Sequence, residues 1–225
     1  MKRLKKRLEI FLLTTFLLAA SGLDGQTHGR FVIQPGSKLW MDGTSNVHDW
    51  TVEAAEMDAF VEVMMPFPAS LPGSTGTINV SRVEVFVPIA GLKSGHRIMD
   101  KKMAVALKAP HQPTIHFKLH EGGISPGIQN ENGSNNLAIR GVLEIAGVAN
   151  DIEMEVHVKF LSDGRLTIKG RKALKMSDFG IEPPKVLGGL FITGDDINIH
   201  FDIKMVADSG LAALFLQSWT ATASH

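Results

Sequence analysis

From Ile197 to Met205 the chain alternates without interruption. Ile197, Ile199, Phe201, Ile203 and Met205 are apolar, and Asn198, His200, Asp202 and Lys204 between them are polar. A period of two predicts a strand with one apolar face. The same pattern recurs along the chain. Ile152, Met154, Val156, Val158 and Phe160 alternate with Glu153, Glu155, His157 and Lys159. Val83, Val85, Val87 and Ile89 share a face, as do Ile115, Phe117 and Leu119, then Leu137, Ile139, Leu143 and Ile145, then Leu166 and Ile168. Trp50, Val52 and Ala54 give way to Ala59, Val61 and Val63, a change of phase that predicts a bulge within one long extended stretch.

Between the strands, "PFPASLPGSTG" and "ISPGIQNENGSNN" read as loops, and "SDG" reads as a hairpin turn. One segment departs from period two. In "KSGHRIMDKKMAVALKAP", Met99, Met103, Ala106 and Leu107 fall at helical spacing and Pro110 ends the run, predicting one or two short helices. Asp208 or Ser209 is placed to cap a short C-terminal helix. The fold class is therefore mainly β: about eight antiparallel strands joined by tight turns, as a barrel or a sandwich. Closure into a barrel turns every apolar face inward and leaves no free sheet edge.

The N-terminal segment stands apart. "MKRLKKRLE" is basic, "IFLLTTFLLAA" is apolar, and small residues follow. That order predicts a signal peptide over 1–25, cleaved between Gly22 and Gln26, with a barrel domain over 30–207 and a tail over 208–225. The expected location is periplasmic or secreted, with no integral membrane segment left after cleavage. Cleavage removes five basic residues and one acidic residue from a chain with 23 of each, leaving a mildly acidic domain. Such a domain is a poor match for nucleic acid, which calls for a basic patch. The chain has no cysteine, so disulfides and thiolate chemistry are excluded.

Nine histidines raise the question of a metal. His116 and His120 lie four apart, but on a strand that separates them by about 13 Å, too far to share one ion. They read as outward polar positions, so no metal site is expected. His48 and Asp49 are strand neighbours and point to opposite faces. No G-x-S-x-G elbow is present.

Several segments, in order, carry a resemblance. "SNVHDWTVEA", "VEVFVPIAGLKSGHRIMDKKMAVALKAPHQPTIHFKL", "LAIRGVLEIAGVANDIEMEVHV" and "KGRKALKMSDFGIEPPKVLGGLFITGDDINIHFDI" resemble successive parts of the YceI-like family of exported bacterial proteins, over roughly Phe31 to Val206. The resemblance implies a single lipocalin-like closed barrel. It also implies, for some members, an isoprenoid chain or other amphiphile held in the lumen, and for others a link to stress.

The expected function is an exported lipid carrier whose partner is a hydrophobic small molecule, a polyisoprenoid or fatty-acyl amphiphile. No cofactor and no catalytic residue are expected. Trp50, Val52, Phe117, Leu119, Leu143, Met154, Val156, Val158, Ile199, Phe201 and Ile203 are the expected lumen wall. The main alternative is a filled barrel acting through its surface in the envelope. A further alternative is an enzyme site at the mouth built from His48, His96, Asp100 and Asp178. The C-terminal "LAALFLQSWTATASH" has three open roles: a cap, a homodimer contact, or a disordered tail.

Overall fold

The 17-residue strand Phe191–Ala207 is long enough to serve two partners end to end, and it closes the barrel. The structure is a computed structural model that describes residues 26–66, 79–130, 134–161, 164–186 and 190–213. The predicted signal segment, nearly all of the Pro-rich loop after Met65 and the tail beyond 213 lie outside the described residues. So do two of the three residues of the "SDG" turn.

The described strands are β1 Gln26–Ile33, β2 Lys38–Ser45, β3 Trp50–Ala54, β4 Asp58–Pro66, β5 Asn79–Pro88, β6 Leu92–Lys93, β7 Thr114–Asn130, β8 Ser134–Ile145, β9 Val148–Phe160, β10 Arg165–Lys175, β11 Lys185–Val186 and β12 Phe191–Ala207. A helix, α1, spans Arg97–Ala106.

The strands reduce to eight antiparallel staves. β1 and β2 form one stave along β12: Phe31 faces Ala207 and Ile33 faces Met205, then Leu39 faces Phe201 and Met41 faces Ile199. The kink between them is the Pro35-Gly36 turn, where Gly36 takes φ 83°. β3 and β4 form a second stave, pairing with β2 and β1 respectively. The predicted bulge there is a full break between Ala54 and Asp58, and the buried parity switches from Val52 to Ala59, Val61 and Val63. β5 and β6 form the third, interrupted by a 3₁₀ turn at Ile89–Gly91. β7, β8, β9, β10 and β12 complete the ring, which runs in sequence order around the barrel. The result is a closed, up-and-down eight-stranded β-barrel.

One expectation needs correction. The stretch "ISPGIQNENGSNN" is not a loop throughout. β7 continues to Asn130 and β8 begins at Ser134, with Ile124 opposite Ile139 and Asn130 opposite Ser134. Irregularities between Leu119 and Ile124, and between Pro126 and Gln129, take up Gly122, Gly123 and Gly127. Turn-forming residues here make bulges rather than an exit from the sheet.

The two ends differ. At one end Phe31, Val63, Met205 and Leu211 are essentially inaccessible and form a packed cluster. Leu211 belongs to a helical turn over 209–213, whose cap is Asp208: its Oδ1 accepts from the Leu211 N–H at 2.9 Å. Of the open roles for the C-terminal segment, the described part caps the barrel. The other end opens beneath α1.

Candidate functional site

The open end is built from three segments. The first is the 44–50 loop. Ser45 Oγ accepts from the His48 and Val47 amides at 3.1 and 3.3 Å and donates to the His48 carbonyl at 2.7 Å. Asn46 fastens this loop to the chain entering β12: its Nδ2 donates to the Leu190 carbonyl, and its Oδ1 accepts from the Ile192 amide, each at 2.9 Å.

The second segment is α1. His96 occupies the N-cap position without a side-chain cap, and Asp100 supplies the missing tie. Its Oδ1 accepts from the Ser94 amide at 2.8 Å and from Ser94 Oγ at 2.5 Å. Those donors, Ser94 Oγ–H first, hold the Asp100 carboxyl below the ordinary aspartate range. At the far end Lys108 takes φ 57°, and its Nζ donates to the Ala146 carbonyl at 3.2 Å, pinning the helix to the β8–β9 turn. Met99, Met103, Ala104 and Leu107 face the barrel and pack beside Val52, Ile89 and Leu92.

The third segment follows β10. Asp195 receives the Ser177 amide at 2.8 Å and Ser177 Oγ at 2.6 Å, which again depresses its carboxyl, the hydroxyl contributing most. Gly180 at φ 63° turns the chain back so that Ile181 N–H reaches the Met176 carbonyl. Phe179 is thereby buried at 1% exposure.

These segments enclose a cavity of about 750 Å³. Its wall is largely apolar: Met41, Trp50, Met99, Met103, Ile115, Phe179, Ile197 and Ile199 among others. Among the described residues its charged and titratable lining groups are His48, His96, Arg97 and Lys102, with no carboxylate. Deeper in the barrel lies a second chamber of about 140 Å³, walled by Val85, Phe117, Leu143, Met154, Phe201 and similar side chains. Met41, Ile115 and Ile199 line both, so the two chambers adjoin at these residues, the neck. An apolar chamber of the inner one's size stays dry and accepts apolar guests.

Of the expected wall residues, Trp50 lines the upper chamber and Ile199 the neck. Phe117, Leu143, Met154, Val156, Phe201 and Ile203 line the inner chamber. Val52 and Val158 are instead buried in packed clusters, and Leu119 packs against another. None of these three borders a chamber. The inward face also holds Lys172, which alternation from Leu166 and Ile168 would have flagged had a lysine been admitted to an apolar row. The methionines and cationic rim of α1 were missed as lining because a helix gives no period-two signal.

The polar alternatives are dispersed. His48 and His96 border the upper chamber, while Asp100 is tied to Ser94 and Asp178 contributes its carbonyl to Asn150. His120 Nε2 meets Asp151 at 2.7 Å on the outer wall. His116 stacks on Phe86 with its Nε2 buried and unpartnered, so only His120 of the pair is solvated as expected. No group of three metal-ligating side chains occurs among the described residues. A third polar cluster, His200 with Asp42 at 2.5 Å and Trp40 stacked on the imidazole, lies on outward positions of β2 and β12.

The geometry has counterparts among solved structures. Burkholderia cenocepacia BcnA superposes with a TM-score of 0.55 at 16% identity, over 75% of this chain and 95% of that one. A polyisoprenoid binding domain from Saccharophagus degradans, implicated in plant cell wall breakdown, gives 0.56 at 12% identity, over 79% and 98%. A Campylobacter jejuni YCEI protein gives 0.50 at 18% identity, over 68% and 82%. At these identities the likeness is one of fold. No curated protein matches the sequence. The YceI-like domain model, however, matches residues 44–205, most of the chain and the barrel from the end of β2 onward, and the protein belongs to the YceI-like family.

Proposed function

We propose that this protein is an exported, non-catalytic carrier that holds one amphiphilic lipid, a polyisoprenoid or fatty-acyl chain, in its barrel. The observation that carries the reading is the pair of largely apolar chambers that adjoin at Met41, Ile115 and Ile199 beneath α1. A flexible chain fits such a space because its affinity comes from apolar area, at ~0.8 kcal/mol per CH₂ withdrawn from water. Ten such groups contribute on the order of 8 kcal/mol before ordering costs. The tail occupies the inner chamber and the head group stays at the mouth, where His48, His96, Arg97 and Lys102 offer donors. The methionines of α1 suit a wall that adapts to its guest. Family membership supports the reading, as does the shared fold of a domain described as polyisoprenoid binding. Export rests on the basic–apolar–small order of the first 25 residues.

Titration with fluorescent prenyl and fatty-acyl probes tests the proposal. Saturable uptake, competed by unlabelled prenol or fatty acid and weakened by Phe201→Leu without loss of fold, is the expected result. A folded protein that takes up neither probe argues for a filled barrel acting through its surface.

A further inference from the structure

α1 has an outward face that the carrier reading uses only in part: Arg97, Ile98 and Lys102 border the upper chamber, while Lys101 and Val105 do not. Its inward side packs through Met99, Met103 and Leu107. Its outward side presents Arg97, Ile98, Lys101, Lys102 and Val105, all exposed. Ile98 and Val105 are 72% and 75% exposed, the two most exposed large aliphatics among the described residues. Seven positions apart, they lie on one stripe two turns long, with Lys101 and Lys102 between them. The helix's one acid, Asp100, is engaged by Ser94. Arg97, Lys101 and Lys102 have no carboxylate partner among the described residues. The 44–50 loop and the chain that Asn46 ties to it add two more exposed aliphatics at the same end of the barrel, Val47 at 56% and Leu190 at 71%.

A protein does not gain by presenting bare aliphatic side chains to water, and a cluster of them marks a contact surface. Interleaved with unpaired cations on a helix, they match the composition of helices that lie in a membrane interface. We propose that the outward face of α1, with Val47 and Leu190, docks the mouth of the barrel onto an anionic lipid bilayer. The cations favour the charged surface at about 1 kcal/mol each near the headgroups. The aliphatics then enter the headgroup boundary. The helix face carries no aromatic anchor of the kind that dominates protein–protein contacts. Docking there would place the cavity entrance against the source or destination of its guest. That purpose rests on the carrier reading, but the docking itself does not.

Co-sedimentation with vesicles of phosphatidylcholine alone, or mixed with phosphatidylglycerol, tests the inference. The full mature chain is expected to pellet with the anionic vesicles, and binding falls by about tenfold or more in neutral vesicles or in Lys101→Glu/Val105→Glu. Neither substituted residue lines a cavity, so probe uptake and melting temperature should be unchanged in that variant. Equal binding to neutral vesicles, undiminished binding by the double variant, or failure to pellet overturns docking. So does selective capture by soluble polyglutamate in place of vesicles. Vesicle binding without probe uptake would leave docking in place and remove the carrier reading instead.

Discussion

The Nζ of Lys172 donates to the backbone carbonyl of Glu153 at 2.7 Å. The bond crosses a part of the wall where the sheet ladder has ended. β9 and β10 pair from Val156–Gly170 to Phe160–Leu166, and β10 then runs on beside β12 alone. Lys172 spans this seam with an aliphatic stem that lines the inner chamber and an ammonium that donates to the Glu153 carbonyl of β9. Above it Phe179, Leu174 and Ile181 fill the rest of the gap.

Replacing Lys172 with methionine keeps the stem and removes the donor. The expected cost is about 1 kcal/mol of stability, a typical net hydrogen bond at a partly solvated site. Hydrogen exchange should lose protection along Glu153–Glu155 first. Unchanged protection there would mean that the seam is held by Phe179 and its neighbours without the lysine.

Gly170 leaves room for a ring. A Cβ at this position would overlap the Phe201 side chain directly opposite it, and Gly43 stands in the same relation to Trp50. Each glycine lets an aromatic side chain lie against the wall. Gly170→Ala should push Phe201 into the inner chamber, with an overpacking cost of about 1–3 kcal/mol. Probe uptake should fall with it, and should recover in Gly170→Ala/Phe201→Leu to the level of Phe201→Leu alone. Failure of that rescue would contradict the assigned geometry.

Two aspartates make the mouth sensitive to acid. Asp195 and Asp100 are held below the ordinary range by donors from Ser177 and Ser94. An unfolded aspartate titrates near pH ~3.9, so these clamps contribute fully above that pH and are lost as pH falls through their lower folded values. Amide protection at Ser94 and Ser177 should decline in acid before that of Val63 and Met205. Asp195→Asn, which accepts a hydrogen bond without titrating, should flatten the response at Ser177. Simultaneous loss at both ends would show that the clamps do not control the mouth.

Leu211 seals the opposite end, fully buried with its side chain against the backbone of Gly29. Leu211→Ala should cost about 2–5 kcal/mol, as deletions of large core side chains do. The denaturation midpoint reads this directly. A change below 0.5 kcal/mol would place the 209–213 turn outside the cooperative unit.

Period-two alternation made the strands legible because each has one dry and one wet face, while closure into a barrel rather than a sandwich followed from the family resemblance. The row from Ile197 to Met205 faces inward as read, and Ile199, Phe201 and Ile203 border the inner space. Alternation reports which way a side chain points, not whether anything is packed against it. Val52 and Ile199 look equivalent in sequence, yet one is wholly enclosed by neighbours and the other faces a void. The same limit concealed Gly170 and Lys172, inward positions without an apolar residue. It also concealed the continuation of β7 through Gly122 and Gly123, where turn-forming residues serve as bulges.

Native mass spectrometry of the protein, purified from its own host without detergent, tests the central claim most directly. The account predicts a single adduct with the mass of a prenyl or acyl lipid. That adduct should be absent from Ile199→Trp, which fills the neck while leaving the fold's circular dichroism unchanged. Bare protein mass in both samples, from material that is folded and homogeneous, would contradict it.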